Sequence, residues 1–128
     1  MPLRREHHIT RQMLRDEPST LWVFSDNLIG RGLIGQAYEM RGEPNAVGIP
    51  TKRLPALDPV AYFDDADMGV FLATAAEPLH RLLVHLRTGG VVVWPAAGIG
   101  TGLADLERRA PQVWACLERA RERLEVVA

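Results

Sequence analysis

The sequence predicts an α/β fold: a single three-layer domain in which a mixed or mostly parallel sheet carries helices on both faces. Short apolar segments alternate with segments of helical periodicity along the chain. The clearest strand, residues 91–94, is three valines followed by a tryptophan and is apolar on both faces. Such a strand is typical of a sheet covered on both sides. The 128 residues suffice for one core and are too few for two, so we predict one domain over residues 1–128.

In the first half of the chain, residues 1–20 are predicted to form a strand and helix lead-in segment that precedes a buried strand. Thr10 is placed to cap a short helix, and Pro18 ends it. Pro50 closes the strand that follows the turn cluster at residues 41–45. The predicted elements of this half are a strand or loose arm at 3–9, a helix at 11–16, a strand at 21–24, a short helix at 36–40 and a strand at 46–49.

The second half is dominated by helical periodicity. Pro78 lies inside the longest periodic segment and predicts a kink or two abutting helices. Pro111 opens the last helix, at a position where proline is tolerated. The predicted elements of this half are a brief strand at 60–63, a helix or helices over 66–86 capped by Asp64 or Asp65, a strand at 91–94, a helical turn or two at 103–109 and a helix from 111.

Composition argues against several classes of function. Lys and Arg number 15 against 16 Asp and Glu, and a net charge of −1 argues against a general nucleic-acid-binding protein, which carries a basic excess. The only cysteine, Cys116, cannot form an internal disulfide, and no apolar run is long enough to span a bilayer. We therefore expect a cytoplasmic protein with no membrane partner. The histidines lack the spacing of shared metal ligands, and we predict neither a metal nor a cofactor.

Two glycine-rich segments follow predicted strands. Residues 30–35, Gly-Arg-Gly-Leu-Ile-Gly, satisfy the G-x-G-x-x-G pattern and precede the predicted helix at 36–40. Residues 98–102, Gly-Ile-Gly-Thr-Gly, follow the strand at 91–94. Ligands of parallel sheets sit beyond the carboxyl ends of the strands, where loop N–H groups can receive phosphate. We predict that both loops clamp one phosphate-bearing nucleotide; the alternative is that the glycines serve turn geometry alone.

Polar and basic side chains near these loops are candidate site residues. Asn27 could bond a ribose hydroxyl, and Asp26 could accept from an adenine amino group or orient a water, so these two are the candidate catalytic residues. The alternative for the pair is an Asx turn that caps the loop. Basic side chains would pair with phosphate or simply lie solvated. The predicted ligand-binding residues are Asn27, Gly30, Arg31, Gly32, Gly35, Gln36, Arg41, Lys52, Gly98, Ile99, Gly100, Thr101 and Gly102.

The two segments resemble the macrodomain superfamily, whose members bind ADP-ribose and related nucleotides. That family has an asparagine after a buried strand, a glycine-rich loop that opens a helix, and a second glycine-rich loop after a later strand. Asn27, residues 30–35 and residues 97–102 take these places. The resemblance implies a macrodomain-like fold, with Asn27 at the distal ribose and the loops along the pyrophosphate. Residues 26–52 also resemble a small uncharacterised group of phage and bacterial proteins of macrodomain-like type.

The sequence departs from that family in both loops. The family's contiguous glycine triplet is interrupted by Arg31, Leu33 and Ile34, and the second loop lacks the usual serine and aromatic residue. Three functions therefore compete. The first is binding of ADP-ribose or a derivative, with or without its hydrolysis or its removal from a target. The second is a phage or regulatory interaction protein with no nucleotide ligand. The third is nucleic-acid binding, against which the overall charge argues.

Overall fold

A parallel sheet forms the centre of the structure, which a computed structural model describes for residues 2–128. Within these residues the sheet has four strands in the order β1-β4-β2-β3, and all neighbours are parallel. The strands are β1 at Leu3–Glu6, β2 at Leu21–Asn27, β3 at Ala46–Lys52 and β4 at Val92–Pro95. The predicted α/β class is confirmed, and the sheet expected to be mixed or mostly parallel is parallel throughout.

Helices cover both faces of this sheet. In residues 2–128 they are α1 at Arg11–Asp16, α2 at Ala37–Met40, α3 at Met68–Arg87, α4 at Leu106–Arg109 and α5 at Pro111–Val127. The first two pack on one face through Leu14, Ala37 and Met40, and the other three pack on the opposite face. The predicted three-layer arrangement is confirmed. None of these helices is both long enough and apolar enough to cross a membrane.

Both faces of the central strands are buried. Along β2, Trp22 and Phe24 pack with α1 and α2, whereas Leu21 and Val23 pack with the helices of the other face. The side chains separate in this way because successive residues of a strand point to opposite sides. Since neither face meets solvent, these strands show continuous apolar runs in place of apolar–polar alternation.

Two predictions about strands are wrong. Pro50 lies inside β3 and does not close it. β3 is an edge strand, where a proline nitrogen can face away from the sheet without interrupting a bond. The brief strand predicted at 60–63 is a 3₁₀ turn at Pro59–Ala61, because the proline ring sets the φ of a turn. Only Tyr62 makes an isolated bridge, to Lys52.

Helix boundaries also differ from prediction in the second half. α3 runs through Pro78 as one helix, so the alternative of two abutting helices is wrong. A 3₁₀ turn at Asp65–Asp67 precedes it, and the Asp64 side chain caps this turn. The helix predicted at 103–109 forms only over its last turn, α4. Asp105 lies in the left-handed region with a φ of 49°, which interrupts the helical path before α4.

Asn45 holds the segment between α1 and β2 against the rest of the domain. Its Nδ2 donates to the carbonyl oxygens of Leu14, Glu17 and Thr20 at 2.9, 3.0 and 3.1 Å. The residue is buried, so water cannot replace these bonds readily. One amide group thereby anchors the end of α1 and the turn that enters β2.

Substitution of Asn45 tests this anchor. We expect Asn45→Ala to lower the free energy of unfolding by about 1–3 kcal/mol, because buried carbonyl groups lose their donor. Asn45→Asp should cost more than the alanine variant, because a buried carboxylate would face the same carbonyl oxygens. Urea denaturation followed by circular dichroism compares the two variants with the wild type. An aspartate variant as stable as the wild type would contradict the anchoring role.

Candidate functional site

A cleft lies at the carboxyl ends of the central strands β2 and β4. After β2 the chain turns toward α2 on one face of the sheet, and after β4 it turns toward α4 and α5 on the other. Loops that part in this way open a crevice, which is where open parallel sheets bind ligands. The cleft has a volume of about 130 Å³. It is lined by Ser25, Asp26, Asn27, Ile34, Gly35, Gln36, Thr51, Lys52, Pro55 and residues 100–104.

The structure brings part of the predicted site together at this cleft. The predicted residues that line it are Asp26, Asn27, Gly35, Gln36, Lys52, Gly100, Thr101 and Gly102. The predicted residues outside its lining are Gly30, Arg31, Gly32, Arg41, Gly98 and Ile99. Ile99 belongs to the apolar core with only 1% of its surface exposed, and Arg31 stands on the exposed surface of the first loop. The functional role of each residue stays a prediction.

Two hydroxyl groups that the sequence did not single out form part of the cleft wall. The Ser25 and Thr51 hydroxyl oxygens lie 2.5 Å apart. Ser25 Oγ also accepts a hydrogen bond from the Gly100 N–H at 3.2 Å, which ties β2 to the second glycine loop. The only sequence signal for these residues is their position near the ends of β2 and β3, and their pairing depends on the strand register.

Gln36 connects the two glycine loops. Its Oε1 accepts from the Ser25 N–H at 2.8 Å, and its Nε2 donates to the Gly98 carbonyl at 3.0 Å. Both ends of the amide are therefore used within the protein. Gln36 was predicted as a ligand-binding residue; in this structure its side chain sets the separation of the loops.

The Asn27 side chain is used by the first loop itself. Its Oδ1 accepts from the N–H groups of Ile29 and Gly30 at 3.0 and 3.1 Å. Its Nδ2 donates to the Arg31 carbonyl at 2.7 Å. This is the Asx-turn arrangement considered above as the alternative to ribose binding. It shapes the loop from inside and leaves the residue only 9% exposed.

Asp26 forms an ion pair with Arg41 at the edge of the same loop. The guanidinium donates to both carboxylate oxygens, at 2.5 and 3.3 Å, and its Nε donates to the Gly32 carbonyl at 2.8 Å. The Arg41 guanidinium also lies 5.5 Å from the centre of the Phe24 ring. Gly48 leaves room for this pair, since a Cβ there would approach Asp26 Oδ2 to 2.6 Å. Neither charge is left without a partner.

Residues of both glycine loops at the cleft have backbone N–H groups without an acceptor in the described chain. Within residues 2–128, the N–H groups of Gly35, Gln36, Thr101 and Gly102 donate to no acceptor in the chain. All four residues line the cleft. Successive unpaired N–H groups in irregular backbone form concavities that suit an anion.

The glycines of the second loop differ in how strictly they are required. Gly100 has a φ of 78°, and a Cβ there would approach Leu106 Cδ2 to 2.9 Å, so both conformation and packing demand glycine. Gly102 has neither constraint: its φ lies outside the left-handed region, and a Cβ would meet no atom within 4 Å. Gly102 is therefore a position where a side chain can be introduced without disturbing the loop.

Lys52 is the basic residue of the cleft lining. Its Nζ donates to the Ala56 carbonyl at 2.5 Å and lies 4.5 Å from the centre of the Tyr62 ring. The Arg109 guanidinium lies 3.7 Å from the centre of the same ring. Burial lowers the pKa of the Lys52 ammonium, and repulsion from Arg109 lowers it further. In the part of the chain that the structure describes, no carboxylate forms an ion pair with Lys52.

Fold and cleft together define an α/β domain with an all-parallel sheet. Its two glycine loops lie at the carboxyl ends of β2 and β4, where the chain leaves the sheet toward opposite faces. The chain belongs to the family of unknown function DUF7831, whose profile matches residues 4–120. No curated protein and no solved structure matches the chain. The likeness to macrodomains stays a prediction from the two loop sequences. Among residues 2–128, no group of three or more His, Cys, Asp or Glu residues is placed to hold a metal ion.

The contacts of Arg41 predict that this side chain stabilises the first loop. We expect Arg41→Ala to lower the free energy of unfolding by about 1–3 kcal/mol, because a partly buried carboxylate and loop carbonyls lose charged hydrogen bonds. Hydrogen exchange of residues 28–34 should accelerate in this variant. Arg31→Ala is the matched control, since the Arg31 side chain is exposed and should leave stability unchanged. Equal effects of the two substitutions would refute the assignment.

Proposed function

We propose that this protein binds a phosphate-bearing nucleotide, ADP-ribose or a derivative, in the cleft between its two glycine loops. The observation that carries the proposal is the set of unpaired N–H groups that Gly35, Gln36, Thr101 and Gly102 bring to one cleft. These groups come from two loops far apart in sequence, and a bound anion would give all of them an acceptor. The location supports the same conclusion, because the cleft lies where parallel sheets bind nucleotides.

The electrostatics of the cleft support an anionic ligand. Lys52 supplies a cation with which no carboxylate of residues 2–128 forms an ion pair, and the acidic residue that also lines the cleft, Asp26, is held by Arg41. The hydroxyl groups of Ser25 and Thr51 bond each other, and Thr51 Oγ1 also donates to the Asp26 carbonyl at 3.3 Å, so they make the wall polar without adding donors for the ligand. Among the residues that line the cleft, a phosphate oxygen would therefore meet N–H donors and one ammonium group, and no carboxylate without a cationic partner.

The size of the cleft limits how much of the ligand it encloses. Its 130 Å³ is smaller than the roughly 300–1,000 Å³ of pockets that enclose a drug-sized molecule. We infer that the cleft takes the phosphate-bearing part of the nucleotide. Ile34 and Leu103, which border it and are 57% and 53% exposed, then offer apolar surface to the base or a ribose.

The proposal is for binding, because the side chains required for turnover are engaged. The Asp26 carboxylate, the candidate base, accepts from Arg41 and from the Asn27 N–H. Asn27 is occupied by its own loop. Hydrolysis, or removal of ADP-ribose from a target, would need Asp26 to leave Arg41.

A second candidate is an interaction protein that binds no nucleotide. The observation that favours it is a set of large apolar side chains on the first loop, which are unusual on a surface that meets only solvent. They are Leu28, Ile29, Leu33 and Ile34, between 37% and 57% exposed. On this reading the glycines serve turn geometry alone, and the loop itself is the contact surface.

Gly102 offers the sharpest test of nucleotide binding. Gly102→Glu places a carboxylate at the cleft through a Cβ that meets no atom within 4 Å, and like-charge repulsion should weaken ADP-ribose binding by about tenfold or more. Gly102→Gln, which has the same size and no charge, should bind more tightly than the glutamate variant. Isothermal titration calorimetry with ADP-ribose, AMP, ATP and NAD measures affinity and selectivity.

The controls separate the two candidates. Gly69→Glu adds the same charge at an unobstructed glycine of α3, outside the cleft lining, and should bind like the wild type. Preference for ADP-ribose over the other three compounds would support the proposed ligand. Absence of heat from all four with the wild-type protein would overturn the proposal in favour of the interaction protein.

Lys52 predicts a pH dependence of this binding. A bound phosphate raises the pKa of a nearby ammonium, so the protonated lysine favours binding and affinity should decrease as the pH rises through the lowered pKa of Lys52. The pyrophosphate keeps its charge over the same alkaline range. Lys52→Gln should bind about tenfold more weakly at neutral pH and lose this dependence. If the affinity of Lys52→Gln fell over the same alkaline range as that of the wild type, the titrating group would not be Lys52.

A further inference from the structure

A second concave surface, which we call the α3–α5 groove, shares no residue with the cleft. It lies between the second half of α3 and the last turns of α5 and has a volume of about 820 Å³. Its floor is apolar and is formed by Leu79, Leu83, Leu124 and Val127. Leu79 and Leu83 are spaced by one helical turn, as are Leu124 and Val127, so the floor is a continuous stripe along both helices.

Three arginines stand around this floor. Arg87, Arg119 and Arg123 line the groove, and all three are exposed. Within residues 2–128, none of them forms an ion pair or donates a hydrogen bond to another residue. The groove also contains one carboxylate, Glu122, so its border carries an excess of positive charge.

The lack of partners sets these arginines apart from the others. In the described chain, nine of the fourteen arginines pair with a carboxylate. Of the five that do not, three line the groove; the remaining two are Arg31 and Arg81. Arginines without a carboxylate partner are thus concentrated at the apolar α3–α5 groove. A protein with a net charge of −1 has carboxylates for such pairing, but within residues 2–128 none forms an ion pair with these three arginines.

We propose that the α3–α5 groove binds an acidic amphipathic helix of a partner protein. Apolar side chains of that helix pack on the leucine floor, and its carboxylates pair with Arg119, Arg123 and Arg87. This function is separate from nucleotide binding, since it uses different elements of the fold. The groove extends along α3 from Leu79 to Arg87, about 12 Å at the rise of an α-helix. Two turns of a bound helix cover that length, with apolar anchors at helical spacing.

Other occupants fit the surface less well. A second copy docked through the same groove about a two-fold axis would bring the unpaired arginines of both copies together. A nucleic acid would pair with the arginines but would leave the leucine floor without an apolar partner. An acidic amphipathic helix satisfies both the charge of the border and the apolar floor.

Binding of designed peptides tests the proposal directly. The probe is a fluorescein-labelled peptide of about 15 residues, made of glutamate, alanine and leucine with the leucines on one helical face. One comparison peptide has the same composition with the leucines scattered, and another has lysine in place of glutamate. Fluorescence anisotropy with the full-length protein should show binding of the first peptide, at least about tenfold weaker binding of the second, and none of the third. This binding should weaken with added salt.

Charge reversal assigns the binding to the groove. In a variant carrying Arg119→Glu and Arg123→Glu, affinity for the acidic peptide should fall by about tenfold or more, and lysine at both positions should largely restore it. Arg81→Glu is the matched control, because Arg81 is also exposed on α3 and, in residues 2–128, forms no ion pair, but it lies outside the groove and donates only to the Pro44 carbonyl, at 3.0 Å. Its affinity should equal that of the wild type. Circular dichroism confirms that each variant is folded.

Several outcomes would overturn the proposal. They are equal binding of the scattered or lysine peptides, an unchanged affinity in the Arg119/Arg123 variant, and an equal loss in Arg81→Glu. Displacement of the peptide by an excess of single-stranded DNA or of phosphatidylserine vesicles would assign the groove to another class of partner. Gly102→Glu, which alters the cleft, should bind the peptide with wild-type affinity. A loss of nucleotide binding can therefore be distinguished from a loss of peptide binding at the groove.

Discussion

Parallel pairing of β2 with β4 is the constraint on which the rest of the structure depends. The register joins Leu21 to Val92 and Trp22 to Val93, so both strands run in the same direction and their carboxyl ends meet at one edge. Antiparallel pairing would have sent the two glycine loops to opposite edges of the sheet. Parallel strands also need connections that cross a face of the sheet, and here helices cover both faces.

At the carboxyl ends of β2 and β4, polar side chains bond to the two glycine loops, and the backbone of these loops lines the cleft. Asn27 shapes the first loop, Gln36 joins it to the second, and Arg41 pairs with Asp26 at its border. The donors left for a ligand are mainly N–H groups whose positions these contacts determine. A ligand bound in this way would order few side chains, which keeps the entropic cost of binding low.

The cleft and the α3–α5 groove have different chemistry and lie on different elements. The cleft is small and has backbone and polar side-chain groups between apolar borders, whereas the groove is larger, apolar at its floor and bordered by unpaired arginines. A net charge near zero conceals this distribution, because most arginines pair with carboxylates elsewhere in the described chain. The two sites share no lining residue, so the proposed nucleotide and protein partner could be bound together.

The sequence by itself determined the fold class, most elements and the two loops. Thr10 marked the start of α1, and the valine run marked β4, because capping and periodicity are local signals. Sequence could not reveal that Asp26 pairs with Arg41, 15 residues away, or that Ser25 meets Thr51. Nor could it show which arginines lack carboxylate partners. Only the tertiary structure decided these points, because contacts between distant residues depend on strand order and register, which no local pattern specifies.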